Sequence, residues 1–223
     1  MAKKIILLGA TGGCVDVLDT LHDINLRSPV RLYDCIGFLD DNPELHGERV
    51  LGVPVLGPFS LAGDYKAECL FATGMGSELN YFRRKEIIEG LGIGLDRFET
   101  LVHPTAAISE FAKIGSGSVI HQNVTITRDV VIGDNVLVLP NSVISHGSSV
   151  GSYSIINAGV CIAGDVEVQE SCYIGANSSI RQNVVVNAHS LVGMGGVVIQ
   201  DVPGASIVVG SPARVLEREA ASN

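Results

Sequence analysis

Imidazole is the side chain whose ordinary titration falls between pH 5 and 8, so the six histidines are the first candidates for moving a proton. His121, His146 and His189 lie in the second half of the chain, 25 and 43 residues apart. Those spacings offer no two-ligand pair for a metal. His146 stands two residues past an aliphatic position, in Val143-Ile144-Ser145-His146, and its side chain is expected to leave the core. His121 follows an aliphatic residue directly and is expected in an outward turn, and His189 sits in a turn before Gly193-Met194-Gly195-Gly196. His22 and His46 read as surface residues. The five cysteines are odd in number and form no C-x-x-C pair, so a disulfide framework or Cys-rich zinc site is not expected. Buried free thiols are, with Cys161 and Cys172 packing rather than acting as nucleophiles.

A second kind of chemistry belongs to backbone N–H groups. Gly9-Ala10-Thr11-Gly12-Gly13 follows an apolar run and precedes a helical pattern, where amides and a helix N-terminus can cradle an anion. It is not the dinucleotide fingerprint, because Thr11 and Cys14 fall on that motif's second and third glycines. Phosphate binding and a plain tight turn both fit. Asp40 and Asp41 could accept hydrogen bonds from a ribose or base, or form a solvated turn before Pro43. Gly74-Met75-Gly76 follows a further apolar strand.

The elements that hold these residues are legible from two patterns. From Ile108 to Val198 every sixth residue is Ile or Val, and the residue two before each is Ala, Ser, Val, Cys or Gly. A period of six suits short strands separated by turns, and three hexads close a triangular coil of 18 residues. Successive coils then stack at ~4.8 Å. Gly115, Gly133 and Gly151 recur at the coil interval and are expected at corners needing unusual backbone angles. A solenoid needs both ends covered. The preceding domain is expected over one end and residues 207–219 over the other.

Residues 3–102 alternate strand and helix patterns: Lys4–Gly9 extended, Val15–Ile24 helical, Arg31–Leu39 and Cys69–Thr73 extended, Tyr81–Leu91 helical. This predicts a small α/β unit with a Rossmann-like parallel sheet over residues 1–102. An all-β left-handed parallel β-helix with a C-terminal cap follows over 103–223. The formal charge of −9 argues against nucleic acid or an anionic membrane as partner. No signal peptide or membrane span is read, and a cytoplasmic location is expected.

With these motifs in order, the chain resembles the two-domain left-handed β-helix sugar acyltransferases of bacterial glycan synthesis. That group contains the sialic acid O-acetyltransferases and the PglD-type nucleotide-amino-sugar N-acetyltransferases. The resemblance is carried by Gly9–Gly13, Gly37-Phe38-Leu39-Asp40-Asp41-Asn42, His103-Pro104, Val143–His146, Ala163-Gly164-Asp165-Val166 and Gly210-Ser211-Pro212-Ala213-Arg214. It implies a homotrimer with active sites between neighbouring prisms and no metal. A nucleotide-linked amino sugar would lie on the first domain, at Gly9, Thr11, Gly12, Gly13, Asp40, Asp41 and Gly74. Acetyl-CoA would lie along a groove lined by Gly164, Gly193, Gly195, Gly196, Pro212 and Arg214. His146 would take the proton of the sugar amine or hydroxyl, and the Gly164 N–H would face the thioester carbonyl. The 18-residue period adds that Gly164 is the coil neighbour of His146, at ~5 Å between backbones.

Two positions depart from that family. Relatives often carry Glu after the histidine, where this chain has Gly147; Asp165 or Asp129, one coil above or below Gly147, is expected to take its role. Relatives often have a coenzyme-contacting histidine where Ile155 stands. Arg181, Arg214 and Arg218 could meet coenzyme phosphates or be solvated. N-acetylation leads. O-acetylation, a non-catalytic nucleotide-binding protein, and a γ-type carbonic anhydrase with three zinc-bound histidines are the competitors.

Overall fold

The computed structural model describes residues 2–216. Strand β1 (Lys3–Leu8) is a continuous apolar run because both its faces are covered, and Ile5 through Leu8 are fully buried. It lies parallel to β2 (Tyr33–Leu39) on one side and β5 (Leu70–Thr73) on the other. A short antiparallel pair, β3 (Arg49–Val50) and β4 (Val53–Gly57), completes a five-stranded sheet of order β3-β4-β2-β1-β5. Pro54 and flanking glycines hid β3 and β4 from the sequence pattern. Helix α1 (Gly13–Arg27) buries Cys14, Val17, Leu18, Leu21 and Ile24. A 3₁₀ turn, Phe59–Leu61, continuing into the short helix α2 (Ala62–Tyr65), links β4 to β5. The helix expected over 81–91 is a 3₁₀ turn, Tyr81–Arg83, leading into α3 (Arg84–Gly90).

From Leu101 the chain coils as a parallel β-helix, and each strand pairs with the strand 18 residues on. Face 1 carries strands starting at Leu101, Val119, Leu137, Ile155, Tyr173, Leu191 and Ile207. Face 2 carries those at Ala107, Thr125, Val143, Cys161, Ser179 and Val197, and face 3 those at Lys113, Val131, Ser149, Glu167 and Val185. The aliphatic column is buried from Ile120 to Val198, and Ile108 and Ile114 at the open end are half-buried. Inward serines do more than fit. Ser148 Oγ donates to Ala163 O (2.9 Å) and accepts from Val166 N (3.1 Å), and Ser154 bridges Gln169 O and Cys172 N likewise. They satisfy corner backbone groups that no ladder reaches.

Three expectations are corrected here. Gly115, Gly133 and Gly151 do not have unusual backbone angles; a Cβ on each would strike the next coil at 2.5–2.6 Å, so close approach is what demands glycine. The left-handed φ values fall instead at every sixth residue from Gly117 to Gly195, mostly Asn, Asp and Gly. The N-terminal unit does not cap an end of the coil. It lies along face 1, where outward Val119, Leu137 and Ile155 join α1 residues in one apolar cluster. His121 is not outward: the same packing leaves it 1% exposed, with Nδ1 3.1 Å from Thr20 Oγ1 on α1.

At the far end, Ile207–Gly210 extends face 1 and pairs antiparallel with Ala213–Val215. The rest of the expected cap, with Arg218, lies outside the described residues. No helix of the described residues is long and apolar enough to cross a membrane.

Candidate functional site

The expected residues fall into three groups, one on the N-terminal unit and two at different corners of the prism. Between faces 2 and 3, the strand Val143–Ile144 ends and the chain turns at Gly147 with φ 70°. His146 is exposed there. Its ring lies on the Gly164 Cα: a Cβ at Gly164 would sit 2.5 Å from His146 Cε1, 2.9 Å from Nε2 and 3.1 Å from Nδ1. The half-buried Gly164 N–H donates to no acceptor among the described residues, so it is free to meet an oxyanion. Asp165 Oδ1 fills the space a Cβ would need at Gly147, and Asp165 N donates to His146 O at 2.9 Å. Asp129 is instead held by Arg128 at 2.5 Å. Arg128, one coil beneath His146, was not singled out from sequence; the n−18 rule would have found it.

On the N-terminal unit, on the side where Gly76 and Arg84 meet Ile155 and Asn135 of the coil, lies a pocket of about 360 Å³. It gathers Gly9, Thr11, Gly12, Gly13, Asp40, Asp41 and Gly74, with Ser77 and Asn80. Gly13 and Gly74 must be glycines, because a Cβ on either would strike the other's backbone. Gly12 begins α1 with φ 52° and no side-chain cap, and neither Gly12 N–H nor Gly13 N–H has an acceptor among the described residues. These are donors left for an anion. Asp40 is committed to the fold: Oδ2 accepts from Ala10 N (2.8 Å) and Oδ1 from Asn42 N (2.9 Å). Asp41 Oδ1 accepts from Phe59 N at 2.9 Å, leaving its other oxygen open. His46 is half-buried, with Nε2 2.7 Å from Asp40 O, and so belongs to this loop rather than to the open surface.

The third group ends the coil, near the corner between faces 1 and 2. Gly193 packs under Val209, Gly195 turns with φ 66°, and Met194 is exposed. Pro212 and Arg214 are exposed on the terminal hairpin. His189 is exposed at the face 3–face 1 corner, apart from this group, and its carbonyl accepts from the Tyr81 hydroxyl (3.0 Å). Ile155 is buried under the N-terminal unit.

Cys14, Cys35 and Cys172 are pushed up to about 11, chiefly by burial, and are poor nucleophiles. Cys161, expected to pack, is exposed, because it is the outward residue of its two-residue strand. Among the described residues no three His, Cys, Asp or Glu side chains are grouped to hold a metal ion.

The family described as the GMPPB C-terminal domain matches residues 98–192. UDP-N-acetylbacillosamine N-acetyltransferase of Bacillus subtilis (strain 168) is 45% identical over 53 residues, which are 24% of this chain and 23% of that relative. The match thus spans about a quarter of that relative's length. The acetyltransferase domain of PglB from Neisseria gonorrhoeae FA1090, solved in complex with acetyl coenzyme A, superposes with TM-score 0.85 at 27% identity, covering 97% of this chain and 100% of that one. PerB from Caulobacter crescentus, solved with CoA and GDP-perosamine, shares the fold at TM-score 0.82 and 23% identity, over 97% and 99% of the two chains. The superposition extends over nearly the whole length of the chain: it is similar from end to end to the PglB acetyltransferase domain, and over about a quarter of its length to the bacillosamine N-acetyltransferase.

Proposed function

We propose that the chain transfers the acetyl group of acetyl-CoA to the amine of a nucleotide-linked amino sugar. The reading is carried by one observation: an exposed imidazole lies against a glycine whose N–H is unspent, at a corner of the coil. The names of the similar proteins supply the class of acyl donor and acceptor. The amine attacks the thioester carbonyl carbon, forming the C–N bond. His146 takes the amine proton, and the Gly164 N–H donates to the oxyanion. The tetrahedral intermediate collapses with cleavage of the C–S bond, and the proton passes from His146 to the departing thiolate. No covalent enzyme intermediate is needed. Asp165, whose carboxylate fills the space over Gly147, is read as the residue that orients His146, the role that a residue-147 carboxylate would otherwise fill.

The N-terminal unit, residues 1–102, is read as the Rossmann-like domain that holds the nucleotide sugar. The second domain, read over residues 103–223, is taken to carry acyl transfer on a left-handed β-helix. The pocket lies on the N-terminal unit, and His146 and the Gly193–Gly196 stretch lie at two different corners of the prism, so the complete site is read as shared between neighbouring copies. A homotrimer meets this requirement. Face 2 fits the seam: the outward first residues of its strands, from Ala107 to Val197, are uncharged, Arg181 being its one exposed cation between those strands, and it runs between the His146 corner and the Gly195 corner.

The test is thiol release from acetyl-CoA in the presence of UDP- and GDP-linked amino sugars, with mass analysis of the sugar product. Turnover that depends on the amino sugar supports the reading. Nucleotide binding without turnover for the whole panel would replace it with a binding protein.

A further inference from the structure

The pocket beside α1 has an unbalanced charge. A nucleoside diphosphate is at least dianionic, yet none of the residues lining the pocket is Lys or Arg, and two are Asp. Directly behind the wall formed by Met75 and Gly76 sits Arg84, 1% exposed. Its Nε donates to Met75 O at 2.8 Å, and its Nη1 donates to Asn135 O on the coil. A Cβ on Gly76 would lie 3.4 Å from Arg84 Cδ, so the stem presses on the wall itself. Nη2 is buried with no partner, as are both amide atoms of Asn135. No carboxylate pairs with this guanidinium among the described residues. Burial pulls Arg84 down to about 10, which still leaves it charged at neutral pH. A cation buried against carbonyls alone is costly unless something else balances it.

We infer that Arg84 is a positioning residue for the substrate, and that its counter-charge is the diphosphate of the nucleotide-linked sugar held on the other side of the Met75–Gly76 wall. The guanidinium does not touch the ligand. It acts through low-dielectric protein, where a charge is felt several-fold more strongly than across water. Its two carbonyl contacts fix it between pocket and coil, so the field is present before the ligand arrives. The inference rests on reading this pocket as the nucleotide-sugar site. It adds the source of positive potential that the pocket lining lacks.

A peg that merely props the wall would affect every ligand alike, whereas a counter-charge affects ligands in proportion to their own charge. The experiment therefore compares nucleoside, monophosphate and diphosphate, in the uridine or guanosine series, by titration calorimetry on the full chain. For Arg84→Met, nucleoside Kd is expected to stay within about twofold, monophosphate to weaken a few-fold, and diphosphate to weaken about 10- to 30-fold. Arg84→Lys should recover most of the diphosphate affinity, and the KM for acetyl-CoA should not move. Arg84→Gln gives a second neutral variant should the Met variant fold poorly. In the wild type, the protected Arg84 Nε–H resonance should shift on adding diphosphate and not on adding nucleoside. Equal losses for all three ligands, or an Nε–H resonance that ignores the diphosphate, would overturn the inference. A wild-type protein that binds neither UDP nor GDP would overturn the pocket assignment, and this inference with it.

Discussion

At the scale of single residues, the proposed site is a contact between one ring and one glycine. Because three ring atoms of His146 lie within about 3 Å of where a Gly164 Cβ would be, Gly164→Ala must displace the imidazole or the coil. The coil is tied by its ladders, so the ring should yield. A displacement near 1 Å is enough to cost about 10²-fold in rate. The expected result is a 10- to 100-fold loss in kcat with nearly unchanged Tm; a fully active variant would separate the ring from the chemistry. His146→Ala should lower kcat by about 10²–10⁴-fold. A loss below about threefold would mean that the amine arrives already deprotonated. The two carboxylates near Gly147 are not equivalent: Asp165 lies over the Gly147 Cα, while Asp129 is held by Arg128. Asp165→Asn is thus expected to cut kcat at least tenfold and to alter its pH profile, and Asp129→Asn to leave both near wild type. Steady-state kinetics of the pair decides it, and equal behaviour would remove the positioning role of Asp165.

At the scale of elements, the α1–coil interface hides a polar cluster inside an apolar one. His103 Nε2 meets Asp23 Oδ2 at 2.8 Å, and His121 meets Thr20 with its Nε2 left unpartnered. Burial first, and the neighbouring His103 second, push His121 down to about 4 from 6.5. Above pH 6.5 the group is neutral folded or unfolded and contributes no pH dependence. As pH falls below 6.5 the unfolded chain takes up a proton that the folded chain refuses, so stability is lost until about pH 4 and not further from this group. The shift corresponds to a loss on the order of 3 kcal/mol. Denaturant melts of wild type and His121→Gln between pH 7 and 4 should show the variant losing less stability over that window. Parallel curves would mean the ring is not the group responsible. This interface was also the part of the fold least visible beforehand. The inward hexads are repeated and uniformly aliphatic, so the coil, the strands and His146 at its corner could be read from spacing alone. The outward residues of face 1 gave a fainter signal. Leu101, Val119, Leu137, Ile155, Tyr173 and Leu191, at 18-residue spacing, are all apolar, while the other faces carry Thr125, Ser179, Lys113 and Glu167. Only that contrast marks the covered side. The wall around Arg84 had no periodic signal at all, because it joins a loop, a helix end and a coil corner far apart in sequence.

At the scale of the whole molecule, the proposed reaction needs groups that one chain holds apart. The pocket lies on the N-terminal unit, and the His146 and Gly193–Gly196 corners bound face 2 of the coil. The proposed site therefore joins the pocket of one copy to the imidazole of another. Two inactive variants test this directly. Thr11→Asp places a carboxylate in the pocket at an exposed position whose backbone is not left-handed, so the fold should survive while anion binding fails. His146→Ala leaves that pocket intact and removes the base. Each alone should be inactive. Co-expressed in equal amounts, chains that share sites across a seam should recover roughly a quarter of wild-type activity, from seams that pair an intact pocket with an intact imidazole. Chains that complete their sites alone should recover none. Restored thiol release in an assembly that sediments as a trimer would establish the shared seam. A mixed preparation of trimers that stays inactive would place pocket and base within one chain, and the shared-site reading would fall with it.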